Sequence, residues 1–149
     1  MYTDTITLFN HYKSGTGDMW YPSVLRNVNL NMDRGSIIAK YGTESKDNAV
    51  VNVKYRVVYG NVKVGNKMWL PPKEWQKQSE DLLSSTVTFT GGQQFDFFMV
   101  GEYKDDAPIV DNDYKDGFYN YMNKNHDYVF AITETAFYST IPHFEIMAK

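Results

Sequence analysis

The three histidines, at positions 11, 126 and 143, are the side chains of this chain most readily turned to chemistry. A structural or catalytic zinc centre draws on three or four His, Cys, Asp or Glu ligands, commonly with two of them closely spaced, and no histidine here has a second one at such spacing. Cysteine is absent, so disulfides and thiolate-bound metals are excluded outright. The stretch DNDYKDG (111–117) opens like a calcium loop. That loop requires an oxygen ligand at its fifth position, glycine at the sixth and glutamate at the twelfth, where this chain has Lys115, Asp116 and Met122. Nucleophilic catalysis finds no better footing: there is no G-x-S-x-G elbow, and Gly91-Gly92 lacks the lysine and following helix of a phosphate cradle. No two carboxylates stand out as an acid–base pair. The expectation is a protein without catalytic residues, metal or cofactor.

The elements that would position any site read as strands. Thr5–Tyr12 alternates, and KSGTGD (13–18) supplies a glycine-rich turn. Met19–Met32 returns as a long second strand, with Pro22 marking an edge or bulge. Asp33-Arg34-Gly35 ends it, and GTESKDN (42–48) is a polar loop. Val50–Tyr59 has the clearest period of two, with Val51, Val53, Tyr55, Val57 and Tyr59 on one face. A hairpin turn follows at Gly60-Asn61 or at Gly65-Asn66.

Pro71-Pro72 followed by KEWQKQ predicts one or two helical turns with proline at the start. TVTFT (86–90) and Asp96–Tyr103 read as a strand pair around GGQQ. Asp113–Lys124 predicts an amphipathic helix with Tyr114, Phe118, Tyr121 and Met122 on its inner stripe, Asp113 as cap, and Gly117 inside it at a cost of ~1 kcal/mol. Tyr128–Thr135 and Phe144–Ala148 complete the set. Many short strands with close turns and one or two helices predict a single domain over 1–149, mainly β: an antiparallel barrel or sandwich with short helices packed against it.

This reading also assigns His143. In IPHFEIMAK (141–149), residues 144, 146 and 148 point one way and 143, 145 and 147 the other, so the segment is a strand begun by Pro142. His143 is then a surface or cross-strand residue, with a carboxylate as its expected partner.

Charge is unevenly spread along the chain. Between Arg34 and Lys77 there are nine Lys or Arg against three acids, while the remainder holds six bases and fifteen acids. Such a split fits head-to-tail association of copies better than nucleic-acid binding, since the basic part has no arginine cluster and the whole chain is acidic. In a ring, Lys54, Arg56 and Lys63 of one copy would face Asp105, Asp106 and Asp111 of the next. Met1–Asp4 has neither a basic nor an apolar run, so no signal peptide is expected, and no apolar run approaches a membrane span. Trp20, Trp69 and Trp75 raise an alternative: a carbohydrate- or peptide-binding module with these rings as stacking platforms, against which stands the ordinary core role of a lone tryptophan.

Four stretches resemble one family. ITLFN (6–10), PPKEW (71–75), DFFMVGE (96–102) and the ending VFAIT…HFEIMAK (129–149) are similar to small, otherwise uncharacterised proteins encoded in the structural-gene clusters of tailed bacteriophages and prophages, among the head–tail connector and tail genes. Asp96 through Gly101-Glu102, and His143, Phe144 and Glu145, match that family's pattern. Phe95 and Met147-Ala148 stand where glycines are expected, and Asp105–Asn125 is longer and more aromatic. The resemblance implies a non-enzymatic virion component assembled in the bacterial cytoplasm. As a head-closure or tail-completion protein it would form a ring whose partners are other phage structural proteins, on the portal or adaptor side and on the tail side.

Overall fold

The computed structural model describes residues 1–32 and 49–149. The expected strand end at Asp33-Arg34-Gly35 and the polar loop at 42–48 lie outside the described residues.

β1 (Asp4–Ser14) and β2 (Gly17–Met32) form a hairpin around Gly15-Thr16, in register from Ser14↔Gly17 to Asp4↔Val28. β3 (Ala49–Lys54), β8 (Phe97–Val100), β10 (Val129–Tyr138) and β11 (His143–Ala148) join them in the order β1-β8-β10-β11-β3-β2, and the β1–β2 pairing closes the ring. The result is a closed, six-stranded antiparallel barrel, with β9 (Ile109–Val110) added to β2 at Met19 and Trp20. Closure removes the unpaired edges that an open sheet would expose.

Alternation sorts the strand residues onto two faces. Ile6, Leu8, Val51, Val53, Phe98, Phe130, Phe144 and Ile146 fill the barrel interior, as expected of so small a barrel. Phe9, Trp20, Phe97 and Val129 point outward and are covered by α3 (Phe118–Asn125), which buries Phe118 and Met122 against them.

Between β3 and β8 the chain builds a second, smaller sheet: β4 (Arg56–Val58), β5 (Asn61–Val64), β6 (Lys67–Trp69) and β7 (Thr86–Val87). Val64, Val87 and Phe89 from this excursion join the barrel core. α1 (Pro72–Gln76), begun by proline as expected, and α2 (Glu80–Leu83) bury Trp75 and Leu83 against Tyr21.

Several local expectations are corrected. Val50–Tyr59 is not one strand: β3 ends at Lys54, and past Tyr55 the chain leaves the barrel, so Val57 and Tyr59 are exposed although they keep the alternation. Two hairpin turns are used and not one: Gly65-Asn66 as expected, and Tyr59-Gly60 in place of Gly60-Asn61, because Asn61 already pairs with Val58 as the first residue of β5. GGQQ does not join a strand pair. β7 pairs in parallel with β6, β8 pairs with β1 and β10, and Gly92–Gln94 is a 3-10 turn. Pro22 does sit where β2 has β1 on one side only among the described residues, but the bulge lies at Asn27, whose φ is 58°. Gly117 precedes α3 with φ 89° and is not inside it. The segment 104–112 is pinned in part by β9.

Candidate functional site

Asp96, which opens the DFFMVGE stretch, is the most heavily bonded polar side chain of the interior. Its carboxylate accepts from the His11 N–H at 2.8 Å, the Thr90 N–H at 2.8 Å and Asn10 Nδ2 at 3.0 Å. Its backbone N–H donates to Thr90 O, and its carbonyl accepts from the Ile132 N–H. One residue therefore ties β1, the segment after β7, and β10 together. Burial pushes its pKa up from 3.8 to about 7, and the bonds from the His11 and Thr90 backbone and from the Asn10 and Thr90 side chains pull the other way without prevailing. A buried acid raised toward neutrality marks many active sites, but here its partners are the backbone N–H groups of His11 and Thr90 and the side chains of Asn10 and Thr90, all of which tie strands together. The arrangement is a fastening.

Two of the three histidines are likewise committed. His11 Nε2 lies 2.8 Å from Asp18 Oδ2, and its ring stacks on Trp20 at 4.3 Å. No hydroxyl hydrogen-bonds it among the described residues, so the pair lacks the nucleophile that an acid–base relay would activate. His126 is exposed just past α3. His143 is a half-buried cross-strand residue, as expected, but its partners are the Tyr138 ring, stacked at 4.8 Å, and Ile141 O at 2.6 Å, with no carboxylate among the described residues. No group of three His, Asp or Glu side chains that could hold a metal occurs among the described residues. No described helix is long and apolar enough to cross a membrane.

The tryptophans do not offer open platforms. Trp75 and Trp20 are buried, and Trp20 Nε1 donates to Asp111 Oδ1 at 2.9 Å. Trp69 is half-buried against Phe144 and Phe137, with ring centroids at 5.0 and 6.1 Å. These contacts are those of core residues.

What the fold does present is an apolar end built by two hairpins. On β4–β5, Val57 is exposed, and Tyr59 at the tip is 99 % exposed. On β10–β11, Phe137 and Tyr138 are exposed and Ile141 is 73 % exposed. Tyr55 locks the two together. Its N–H donates to Pro142 O at 3.4 Å, its hydroxyl donates to Tyr138 O at 2.8 Å, and its ring stacks on Phe137 at 4.8 Å. Tyr59 and Gly60 both have positive φ, 51° and 79°, the geometry of a tight type I′ hairpin turn. Asn, Asp or Gly ordinarily takes the first of these positions. A tyrosine there holds a large ring in water on uncommon backbone, a pattern that points to function.

The anticipated interface residues fall into four separate places. Arg56 and Lys63 lie directly opposite each other on β4 and β5, beside the apolar end, and such a like-charged pair costs a few tenths to about 1 kcal/mol unless something anionic meets it. Lys54 sits across from His143 with its ammonium 4.2 Å from the Tyr2 ring centre. Asp105 and Asp106 are exposed in the loop after β8, where they line a groove shared with Lys67.

Asp111 does not belong with them. It is half-buried and accepts from the Phe118 N–H and from Trp20 Nε1, both at 2.9 Å, so it caps α3 in place of the expected Asp113. Sequence reading passed over Phe137, Tyr138 and Ile141. The signal for them was present in FYSTIP (137–142), where apolar residues bracket a turn that a buried hairpin end would not need.

The chain belongs to DUF6751, a family of unknown function, whose model matches residues 1–149. No curated protein and no solved structure matches it. The reading of function therefore rests on the geometry above.

Proposed function

We propose that this protein is a non-enzymatic assembly component that docks to further copies of itself through the two-hairpin end, as a ring-forming structural protein of a phage virion. Within the virion, the role is that of a head-closure or tail-completion part at the head–tail junction. The observation that carries the docking reading is Tyr59: a fully exposed aromatic at a tight turn, on the same hairpin as exposed Val57 and the facing cations Arg56 and Lys63, which have no carboxylate partner among the described residues. An apolar centre with a charged rim is the anatomy of a protein–protein contact. The cationic rim calls for an acidic counter-surface, and Asp105 and Asp106 supply one on another copy. A heterologous contact of this kind closes into a ring when its rotation divides a full turn, and a ring is the form proposed here. The phage setting draws its support from the likeness of ITLFN, PPKEW, DFFMVGE and HFEIMAK to the phage structural family described above.

The test is sedimentation velocity across a concentration series on the wild-type chain and on two variants, Tyr59→Ser and Arg56→Glu with Lys63→Glu. The wild-type is expected to associate as concentration rises, and both variants are expected to stay monomeric with unchanged thermal stability. A wild-type chain that remains monomeric throughout, or association that survives both variants, contradicts the proposal.

A further inference from the structure

Ser23 and Lys67 form a pair that the docking end does not use. They lie 44 positions apart in the chain, and Lys67 Nζ is 2.7 Å from Ser23 Oγ. β2 places the serine: its side chain shares a face with Tyr21 and Leu25, both packed in the core, and it is only 4 % exposed. Lys67 opens β6 just past the Gly65-Asn66 turn and reaches the hydroxyl from the smaller sheet. Both residues line one groove of about 420 Å³, together with residues 102–106.

A serine hydroxyl is a weak nucleophile until a base takes its proton, and a neutral lysine amine at hydrogen-bond distance is one such base. Lysine can serve only where its charged form is disfavoured. Burial lowers the pKa of Lys67, and Asp106, at longer range, opposes that only in part. No carboxylate lies within 4.0 Å of its ammonium among the described residues. Charged, the group donates to Ser23; neutral, its lone pair accepts the hydroxyl proton.

The backbone beside Ser23 offers what an acyl transfer needs next. The Thr5 carbonyl of β1 accepts from the Gly101 N–H, on the β8 side, so by alternation Leu8 and, opposite it, Ser23 turn their backbone groups toward each other. Val24 therefore turns its N–H away from β1. On that side β9 reaches only Met19 and Trp20, and β3 pairs only from Asn29 onward, so among the described residues no strand meets the Val24 N–H. Val24 also lines the groove. A free backbone N–H on the residue after a nucleophile is a donor for a carbonyl oxygen that becomes negative.

We propose that Ser23 is a nucleophile with Lys67 as its general base, and that it accepts an acyl group from an ester or thioester bound in this groove. Ser23 Oγ bonds to the carbonyl carbon while its proton passes to Lys67 Nζ, and the carbonyl oxygen, now negative, faces the Val24 N–H. The bond to the leaving oxygen or sulfur then breaks, Lys67 gives that atom the proton, and the acyl group stays on Ser23. A single transfer onto the chain is a modification of it and not turnover, so this inference goes beyond the assembly role and does not depend on the hairpin end.

The test is to incubate the full chain with p-nitrophenyl acetate, follow nitrophenolate release and locate the acetyl group by peptide mass spectrometry. Ser23 is expected to be acetylated ahead of every other residue, at a rate that rises with pH and levels off below the ordinary lysine value of 10.5. Ser23→Ala is expected to remove the fast phase of release while keeping the thermal midpoint, and Lys67→Met to slow it by about a hundredfold. Acetylation of lysines but not of Ser23, labelling of Ser23 no faster than of the exposed Ser84, a rate without that plateau, or an unchanged rate in folded Lys67→Met overturns the assignment. The pH profile is read on the wild-type chain, so it decides the matter even if Lys67→Met does not fold.

Discussion

Replacing Asp96 by asparagine isolates the one buried acid among the described residues, and the outcome depends on pH in a direction that can be worked out. The folded-state pKa of Asp96 is raised, from 3.8 to about 7, so the folded chain holds this proton more tightly than the unfolded chain does. Its favourable contribution is complete below the unfolded value and is lost as pH climbs through the folded one. At ~1.4 kcal/mol per unit, the whole span is worth about 4 kcal/mol, a large share of the 5–15 kcal/mol typical of a domain.

Asparagine cannot titrate, and its amide must replace one carboxylate oxygen. With the amide turned toward the His11 N–H, the bonds from Asn10 and Thr90 survive and one donor is stranded. That costs about 1–3 kcal/mol. Denaturant unfolding of wild-type and Asp96→Asn at several pH values between 4 and 9 separates the two effects. The variant is expected to be the less stable at pH 4–5, and the gap is expected to shrink or reverse by pH 8–9 as the wild-type must carry a buried charge. A gap that is constant, or that widens as pH rises, refutes the reasoning.

Two further substitutions test the packing around this fastening. A Cβ on Gly91 would lie 2.2 Å from the Thr133 carbonyl oxygen, where β10 bulges, so Gly91→Ala is expected to cost at least 2–3 kcal/mol and to lower the thermal midpoint by about 5 °C or more. Asp111→Ala removes the cap of α3 and the partner of Trp20 Nε1 together. An expected loss of about 2–4 kcal/mol in chemical denaturation would come with a change in tryptophan emission, and a neutral result would mean that the cap is dispensable.

How far the sequence discloses this molecule depends on the range of the interaction concerned. Val51 and Val53, and Phe144, Ile146 and Ala148, declare their buried faces because alternation is a property of the strand itself. Barrel closure follows less directly, since many short strands fit a sandwich as well. Tyr55 shows the limit: a period of two reports which face a residue occupies, not which sheet it belongs to, so the passage from β3 to β4 is silent in VVNVKYRVVY. The cap of α3 misled for a related reason. Spacing rules favour Asp113, but a 3-10 turn at Asp111–Asp113 and the positive φ of Gly117 bring the more distant carboxylate to the Phe118 N–H. Asp96 and Gly91 depend on partners far away in the chain, and no local pattern announces them. The uneven charge was legible, but not its placement. Lys67, from the basic stretch, shares a groove with Asp105 and Asp106, a meeting of base and acid that the charge split along the chain did not announce.

The most direct test of the central claim is quantitative mass spectrometry of purified phage particles from the strain that encodes this chain, with copy number normalised to portal and major tail protein. A low copy number in fixed ratio to portal is the predicted result, and it would mark a ring at the junction. Absence from the particles, or a copy number that scales with tail length, would contradict it.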